Sequence, residues 1–468
     1  MTTTISPIPD YDRAVAFLMG RINYERAARV PYRSRDFRLA RMERLLRELG
    51  DPHLRLPAVH IAGTKGKGST AVMIESFLRA AGYRTGLYTS PHLQHVEERF
   101  VLDGVPCAEI ELADAVRQIE PVVRQLDQQA ESDGETGPTY FEITTAIAMW
   151  LFAQAEVDVA VLEVGLGGRL DSTNVCRPLV SIITSISFDH TKQLGNTLAS
   201  IAREKAGIIK PDVPVISGAG SNEANQVIRV AAKENGSPLR ELNIDFGISQ
   251  DDNTNSRGPT AREEFSYWEY PNGKTHRKLD GLTLAMLGNH QRQNAALAIA
   301  AVVELRKHDI NVSPENIRTG LAQAACPARI ELVQSDPPII LDAAHNVASC
   351  HALVEAIGQH FCAWTDRTLI VSTTKDKDAT GMLQVLLPHF GRVIFTQYQS
   401  NPRAADPEDL RRIANAIITT YDQPPQLECI GDPAAALAMF RNDATDPSLL
   451  CIAGSFFLAG EMRALLNK

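Results

Sequence analysis

The chain has 468 residues, of which 44% are hydrophobic and 22% charged, and its formal net charge is −9. A chain of this length exceeds one ordinary hydrophobic core and predicts two or three domains. The negative net charge disfavours binding to nucleic acid or to an anionic membrane, so an anionic substrate would need a local group of positive charges. The composition therefore favours an enzyme that acts on small molecules.

The seven cysteines are scattered, odd in number and contain no CxxC pair. This pattern disfavours a disulfide framework or a structural zinc site and predicts a reducing compartment. The first ten residues lack the basic and apolar regions of a secretory signal, and no apolar run reaches the roughly 18 residues of a membrane span. We therefore predict a cytoplasmic protein.

The pattern of elements along the chain predicts an α/β fold. Residues 12–50 have an amphipathic helical pattern, and from residue 57 short apolar runs alternate with longer helical ones, which is typical of a parallel sheet. The clearest predicted strands are 58–62, 157–163, 180–185 and 213–217, and the clearest helices are 70–81, 140–155, 197–209 and 291–306.

A break in this rhythm separates two α/β regions. Residues 248–280 are polar and then alternate in hydrophobicity, which predicts a mobile loop followed by a hairpin. A second α/β region follows a linker at about 324–330, and its predicted strands are 339–341, 369–372, 393–396 and 449–453. We predict a domain at 1–325 and a smaller one at 326–468.

Residues 59–70 form the predicted phosphate-binding loop. A short apolar strand runs into Ala62-Gly-Thr-Lys-Gly-Lys-Gly-Ser-Thr70 and then into a helical pattern. Glycines allow consecutive backbone N–H groups to point at phosphate oxygens, while Lys67 would reach the β- and γ-phosphates. One glycine separates this lysine from the hydroxyl residues, unlike GxxxxGK[ST], and the alternative is a turn that binds nothing. The residues assigned to the nucleotide are Gly63, Thr64, Gly66, Lys67, Gly68, Ser69 and Thr70.

Two apolar strands are each followed by side chains that suit a metal ion. The strand at 157–163 ends in Glu163, and the strand at 180–185 leads to Asp189 and His190. The carboxyl ends of parallel strands meet at the edge where such sheets bind ligands, and carboxylate oxygens suit Mg²⁺. Glu163 is therefore a predicted Mg²⁺ ligand. The alternative is a solvated or helix-capping Glu163 and a structural His190.

Lys205 occupies the i+7 position of an apolar helical stripe that begins at Leu198. A lysine on a buried face must extend to solvent, pair with an acid or lose its charge. One interpretation is an ion pair with Glu204 or Glu163. The other is a neutral amine that captures CO₂ and becomes a carbamate anion beside a Mg²⁺ site.

Several longer motifs, taken together, resemble the folylpolyglutamate synthase/dihydrofolate synthase family of the Mur ligase superfamily over nearly the whole chain. The resemblance implies a P-loop, Mur-ligase-like ATP-binding domain with a mostly parallel sheet at 1–325 and a Rossmann-like glutamate-ligase domain at 326–468. The motifs are HIAGTKGKGST (60–70), YTSPHL (88–93), YFEITTA (140–146), LEVGLGGRLDSTN (162–174), SFDH (187–190), REKAGIIKP (203–211), GNHQRQNA (288–295), PARIE (327–331), DAAHN (342–346) and AGSFFLAGE (453–461).

The resemblance implies roles for five residues of the first domain. Lys67 would bind the terminal phosphates of ATP. Ser90 and Glu163 would bind a first Mg²⁺, and His190 would join Glu163 on a second. Lys205 would be the carbamylated lysine.

The resemblance also implies contacts from Asn294 and from three residues of the second domain. Asn294 would contact the nucleotide, and Arg329 would reach the phosphates. Asp342 and His345 would meet the nucleotide and the reaction centre. The chain departs from the commonest family pattern, without losing a proposed ligand, at Lys65, Ala328 and Ala343.

The implied reaction is ATP-dependent amide formation by a monomer. A folate or dihydropteroate carboxylate attacks the γ-phosphate, and the amine of L-glutamate then displaces phosphate from the acyl phosphate. His345 is the one candidate base for that amine. Arg99, on the polar loop 89–100, and Phe141 are predicted substrate contacts, although Phe141 also suits a helix core. The motifs do not separate dihydrofolate synthase from folylpolyglutamate synthase activity.

Two other functions remain open at this point. A Mur-type ligase acting on a different carboxylate usually has a separate domain before the phosphate loop, and only 59 residues precede His60. A nucleotide-binding regulatory protein would form no ligation product. Phosphate release that requires both L-glutamate and a pteroate or folate distinguishes these hypotheses.

Overall fold

The computed structural model of the chain describes residues 9–25, 39–250, 264–270, 277–443 and 448–466. They group into two compact units, the first containing 1–249, 266–282 and 293–323, and the second containing 250–265, 283–292 and 324–468. The division falls near the predicted boundary, although two short segments before it, 250–265 and 283–292, group with the second unit. The domain bounds 1–325 and 326–468 stay a prediction.

The first unit contains an eight-stranded sheet in the order β4-β3-β2-β5-β1-β6-β7-β8. Strand β1 pairs in parallel with β5 on one side and β6 on the other, and β2 and β3 pair antiparallel. The strands are β1 (Ala58–Ala62), β2 (Thr85–Tyr88), β3 (Phe100–Leu102), β4 (Val105–Pro106), β5 (Val159–Glu163), β6 (Val180–Ile183), β7 (Val215–Ser217) and β8 (Leu239–Glu241).

Helices cover this sheet because their apolar side chains pack on it in two buried clusters, one that includes Phe152 and Leu162 and another that includes Ile183 and Ile201. The helices are α1 (Pro9–Met19), α2 (Leu39–Glu48), α3 (Lys67–Ala80), α4 (Glu109–Ser132), α5 (Tyr140–Gln154), α6 (Thr191–Leu194), α7 (Leu198–Ala206), α8 (Asn222–Glu234), α9 (Asn289–Leu305) and α10 (Pro314–Gln323).

The region predicted as a loop and hairpin contributes to a three-stranded sheet in the order β11-β10-β9, formed by β9 (Phe246–Gln250), β10 (Phe265–Glu269) and β11 (Arg277–Leu282). The hairpin prediction thus missed one strand. The predicted mobile loop lies mostly outside the described residues. Residues 12–50 were predicted as helical, but the chain leaves α1 at Met19 and residues 20–25 form turns.

The second unit contains a six-stranded sheet in the order β12-β13-β17-β14-β15-β16, parallel except for β12. Its core includes Leu353, Leu386 and Phe395. The elements are β12 (Glu331–Ser335), β13 (Pro338–Leu341), α11 (Val347–His360), β14 (Asp366–Val371), α12 (Ala379–Leu386), β15 (Arg392–Phe395), α13 (Pro407–Ile418), β16 (Gln426–Cys429), α14 (Pro433–Asp443), β17 (Ser448–Ala453) and α15 (Phe456–Leu466).

Candidate active site

The predicted phosphate loop joins β1, in the interior of the sheet, to α3. Gly66 has a φ of 85°, and a Cβ added there would lie 2.2 Å from Oδ1 of Asn294. A Cβ on Gly68 would lie 3.5 Å from Oε2 of Glu163. The loop therefore needs glycine at 66 for both conformation and space. It brings the predicted nucleotide residue Asn294 and the predicted metal ligand Glu163 next to one stretch of backbone.

Ser69 and Thr70 lie in the first turn of α3, where helix N–H groups favour an anion. Both residues are buried, and Lys67 begins the helix. The helix predicted from residue 70 thus starts three residues earlier. Glycine, serine and threonine are weak helix formers, so the sequence pattern hides this first turn.

A set of hydrogen bonds fastens the phosphate loop to the segment that follows β6. The Thr64 hydroxyl donates to the Ser187 carbonyl at 3.2 Å and accepts from the Ser187 N–H at 3.1 Å. The Thr184 hydroxyl donates to the Lys65 carbonyl at 2.7 Å, and the Thr64 N–H donates to Ser185 O at 2.7 Å. These bonds explain why β6 ends at Ile183, before the predicted residue 185. The side chain of Thr64 thus binds the backbone of Ser187, and its contact with the nucleotide stays a prediction.

Glu163 ends β5 as a buried carboxylate close to two other predicted residues. Lys67 Nζ lies 3.9 Å from its Oε1, and the Ser90 N–H donates to its Oε2 at 3.2 Å. A carboxylate beside a serine suits Mg²⁺, which takes oxygen ligands. In the described residues no three His, Cys, Asp or Glu side chains form a metal cage by themselves. A metal here would need other ligands, such as the serine, water or phosphate oxygens.

His190 lies beyond the end of β6, at the N-terminus of α6. Its φ is 48°, its side chain is 47% exposed, and its N–H donates to Asp189 Oδ1 at 2.9 Å. Strands β5 and β6 are separated by β1, so their ends lie about 10 Å apart. The ends of β5 and β6, which precede the predicted metal ligands, thus lie at the same edge of the sheet. The joint binding of a second Mg²⁺ by Glu163 and His190 stays a prediction.

Lys205 is buried at the end of α7, as the helical spacing predicts. Its Nζ donates to the carbonyl of Gly63 in the phosphate loop at 2.7 Å. Burial, followed by the nearby charge of Lys67, lowers the pKa of the Lys205 amine to about 7. The predicted acid partners bind other cations, Arg169 for Glu204 and Lys67 for Glu163. The ion-pair interpretation of Lys205 is therefore wrong.

A buried polar network that the sequence analysis missed lies behind the site. His60 Nε2 is 2.8 Å from the hydroxyl of Thr173, which donates to Asp171 Oδ1 at 2.6 Å. Because this hydroxyl gives its proton to Asp171, it accepts from His60, whose Nε2 carries the ring proton. Burial, and then Lys210, lowers the pKa of His60 to about 3. Asp171 also accepts from the N–H of Leu166, so the network fixes the loop after Glu163.

Arg99, a predicted substrate contact, is buried rather than exposed on a polar loop. Its guanidinium binds both carboxylate oxygens of Glu25 at 3.0 and 2.5 Å and donates to His92 Nδ1 at 2.8 Å. It also lies 5.3 Å from the ring centre of Tyr140. The expectation of an open polar loop is wrong at this residue because Glu25, 74 positions earlier, neutralises the buried charge.

Phe141, the other predicted substrate contact, lies beside the loop that follows Glu163. A Cβ on Gly165 would lie 2.4 Å from Cζ of this ring, and the ring centres of Phe141 and Tyr88 are 6.1 Å apart. The side chain is only partly buried. It therefore packs within the helix layer on one side and keeps some surface accessible, and its contact with a substrate stays a prediction.

In the second unit, Asp342 connects two loops through its side chain. Its Oδ2 accepts from the N–H of Ile330 and its Oδ1 from the N–H of Ala344, each at 2.7 Å. The residues on either side of Arg329 have positive φ, 53° at Ala328 and 50° at Ile330. Asp342, a predicted nucleotide contact, thus holds the loop that presents Arg329.

His345 follows this second loop and has a defined ring orientation. Its Nδ1 lies 2.9 Å from the carbonyl of Ala343. A carbonyl can only accept, so Nδ1 carries the proton and Nε2 of the neutral ring is the basic atom. Arg329 and His345 both pack on Phe456, with the Arg329 Cζ 4.6 Å from the ring centre and the two ring centres 5.6 Å apart.

Comparison with known families and proteins identifies two domain families and several relatives of the chain. Residues 61–302 match the Mur ligase middle domain, and residues 328–456 match the Mur ligase, glutamate ligase domain. The dihydrofolate synthase/folylpolyglutamate synthase of Bacillus subtilis is 37% identical over 92% of this chain and 95% of its own. The folylpolyglutamate synthase of Lacticaseibacillus casei is 34% identical over 90% and 92%.

Solved structures of similar proteins cover almost the whole chain. The Mycobacterium tuberculosis folylpolyglutamate synthase complexed with ADP and AMPPCP has a TM-score of 0.83 and 30% identity, covering 98% of both chains. E. coli FolC in complex with DHPP and ADP has a TM-score of 0.79 and 29% identity, covering 100% of this chain and 99% of its own. In the described part of the chain, no helix is long and apolar enough to span a membrane. The chain belongs to the folylpolyglutamate synthase/dihydrofolate synthase family of Mur ligases and is an ATP-dependent ligase.

Proposed function

We propose that this ligase adds L-glutamate to the carboxylate of a folate or a dihydropteroate through an acyl-phosphate intermediate. The observation that carries the proposal is the group of Lys67, Ser90, Glu163 and Asn294 around one glycine-rich loop. Phe141 lies beside the loop that follows Glu163. The loop suits a nucleoside triphosphate, and the aromatic side chain suits the flat ring of a pterin.

The reaction has two steps, and the charges of the site favour the first. The substrate carboxylate attacks the γ-phosphorus of ATP, the bond to the β,γ-bridging oxygen breaks, and ADP leaves. Lys67 would stabilise the negative charge on the transferring phosphoryl group, and Arg329 would do so from the second unit. Mg²⁺, held by Glu163 and Ser90, would supply further positive charge at the phosphates. A second Mg²⁺ at His190 belongs to the same proposal.

In the second step the amine of L-glutamate attacks the acyl carbon, and inorganic phosphate leaves. The attacking amine must lose a proton, and we propose Nε2 of His345 as the acceptor. The hydrogen bond from Nδ1 to Ala343 O supports this role, because it places the ring proton on Nδ1 and makes Nε2 the basic atom of the neutral ring.

We also propose that Lys205 is carbamylated. A neutral amine attacks CO₂ and releases one proton, which leaves an anionic carbamate on Nζ. Burial and a pKa lowered to about 7 supply the neutral amine near neutral pH. An anion at this position would balance the charge of Lys67, which contributes to that lowered pKa.

The proposal is tested by incorporation of labelled L-glutamate with ATP and Mg²⁺, using dihydropteroate and reduced folates in separate reactions. We expect glutamate-dependent phosphate release with one or both acceptors. Incorporation with dihydropteroate alone identifies a dihydrofolate synthase, and with reduced folates alone a folylpolyglutamate synthase. ATP turnover without incorporation into either acceptor would refute the proposal and favour a regulatory nucleotide-binding protein. Incorporation into a muramoyl peptide would favour the Mur-type alternative.

A further inference from the structure

The side chain of Phe456, the first residue of α15, contacts two predicted functional residues of the second unit, Arg329 and His345. The guanidinium carbon of Arg329 lies 4.6 Å from the ring centre of Phe456, within the distance of a cation–π interaction. The imidazole of His345 lies against the same ring, with centroids 5.6 Å apart and planes inclined by 45°. Residues from two separate loops therefore meet on one phenyl ring.

The backbone around Arg329 explains why such a contact matters. Hydrogen bonds to Asp342 and Glu331 fix the backbone of this loop, through the N–H groups of Ile330 and Ala328. They leave the long side chain of Arg329 free to rotate about its own bonds, and fixing such a side chain costs conformational entropy. A flat aromatic face restrains a planar guanidinium without occupying its hydrogen-bond donors. The donors then remain available to phosphate oxygens.

His345 has a matching arrangement. Its Nδ1 is held by the carbonyl of Ala343, which orients the ring. The tilted contact with Phe456 supports the same orientation, because aromatic pairs favour inclined geometries at this distance. The direction of Nε2 is thereby set relative to the Arg329 guanidinium.

We propose that Phe456 is a positioning residue of the ligase, whose ring fixes the relative placement of Arg329 and His345. The proposal rests on the proposed function, in which these two residues act on the phosphoryl group and on the incoming amine. Phe456 itself touches neither. Its removal should therefore slow turnover without abolishing the binding of nucleotide by the first unit.

The chain offers a matched control in the next residue. Phe457 lies in the same helical turn, but its ring packs on Tyr398, with centroids 5.4 Å apart. Phe456→Leu and Phe457→Leu each remove one partly buried phenyl ring from the start of α15. A purely structural effect would appear in both variants, whereas an effect on positioning would appear in Phe456→Leu alone.

The experiment measures kcat and KM for glutamate incorporation by the full chain. We expect Phe456→Leu to lower kcat about tenfold, the scale of a partly desolvated cation–π contact, with the KM for ATP changed by less than about twofold. Phe456→Tyr should recover kcat to within about twofold, and Phe457→Leu should keep it within about twofold at a similar loss of melting temperature. If Phe456→Leu does not fold, Phe456→Met removes the ring at similar volume and has the same expected outcome.

A double-mutant cycle with Arg329→Lys identifies the partner. Lysine lacks the planar group that stacks on the ring, so Phe456→Leu should cost less than about tenfold in that background, and the loss that remains is the part that acts through His345. Wild-type kcat in Phe456→Leu, or the same tenfold loss in both backgrounds, overturns the inference. An inactive wild-type enzyme would instead refute the proposed function, so the two failures are distinguishable.

Discussion

At the residue scale, burial decides the chemistry of the ionisable groups in the first unit. Lys205 lies in the apolar side of α7 and shares its surroundings with Lys67, which together lower the pKa of its amine to about 7. His60 lies inside β1 and is kept neutral by the same cause, with a pKa of about 3. At a given pH, each group therefore carries the cationic form in a smaller fraction than the same side chain does in water. Burial thereby increases the fraction of Lys205 that is present as the neutral, nucleophilic amine.

We expect the activity of the ligase to depend on CO₂ through Lys205. Carbamate formation requires the neutral amine, so at fixed dissolved CO₂ the reactivation of CO₂-depleted enzyme should rise through pH 7 and level off above about pH 8. Lys205→Ala should be inactive, with partial rescue by short carboxylic acids that replace the anion. Lys205→Arg is the control that keeps a positive charge and does not respond to CO₂. Full activity in CO₂-free buffer, or in Lys205→Ala, would contradict the carbamate.

The same pKa predicts how Lys205 affects stability. An unfolded lysine keeps its proton up to about pH 10.4, whereas the folded one loses it near 7. Burial of this residue therefore lowers the free energy of unfolding by its full amount below pH 7, and this loss disappears as the pH rises to about 10.4. In CO₂-free enzyme, the contribution of Lys205 to stability is therefore most favourable in the alkaline range, where the amine is neutral in both the folded and the unfolded chain.

At the element scale, the proposed phosphate site is formed by β1, its loop and α3 together with the segment after β6. The reciprocal bonds of Thr64 with Ser187 make the loop part of the sheet edge rather than an independent turn. Asn294 of α9 closes the other side, against Gly66. Loop conformation and nucleotide binding should therefore change together.

We expect Gly66→Ala to weaken nucleotide binding at least about tenfold, because the new Cβ would collide with Asn294 in a conformation that alanine also disfavours. Gly82→Ala is the matched control, since Gly82 has a φ of 88° and open space around its Cβ position. Both variants should lose about 1 kcal/mol of stability from the left-handed backbone, and only Gly66→Ala should raise the Kd for an ATP analogue in calorimetric titration. Equal Kd values for the two variants would show that the approach of Asn294 has no effect on binding.

The sequence predicts this element well where the determinants are local. The strand at 58–62, the glycine-rich loop and the buried lysine at 205 follow from periodicity and spacing, and the structure confirms their positions. Arg99 and the partners of Lys205 could not be predicted in the same way. Their surroundings depend on Glu25 and on the Gly63 carbonyl, which are 74 and 142 positions away in the chain. Pairing across such distances is decided by the fold.

The same distinction applies to the second unit. The motif PARIE predicts Arg329 as a phosphate contact through the resemblance, but no local pattern predicts that Phe456, more than 120 positions later, packs on it. The resemblance also implies Asp342 as a nucleotide contact. Both of its oxygens accept backbone N–H groups of neighbouring loops, and its contact with the nucleotide stays a prediction.

At the scale of the whole molecule, two units each have their own hydrophobic core. The phosphate loop belongs to the first unit alone. Ligand binding to the folded state stabilises it by mass action, so the effect of nucleotide on unfolding should be centred on that unit.

We expect an ATP analogue with Mg²⁺, at 100 times its Kd, to raise the free energy of unfolding of the first unit by about 2.7 kcal/mol. Thermal unfolding followed by calorimetry measures this shift. Lys67→Ala should lose most of it at the same ligand concentration, because the terminal phosphates then lack their positive partner. An equal shift in Lys67→Ala would show that this lysine does not contribute to nucleotide affinity.

The interior position of β1 has a consequence for how the molecule can change. The strand is buried along its whole length between β5 and β6, whereas β4 at one edge of the sheet is short and exposed. Amide protons of β1 should therefore exchange with solvent only in the rarest openings of the sheet, while those of the edge exchange readily. Insertions and substitutions at the edge of the sheet should therefore leave β1, and the phosphate loop that follows it, unchanged.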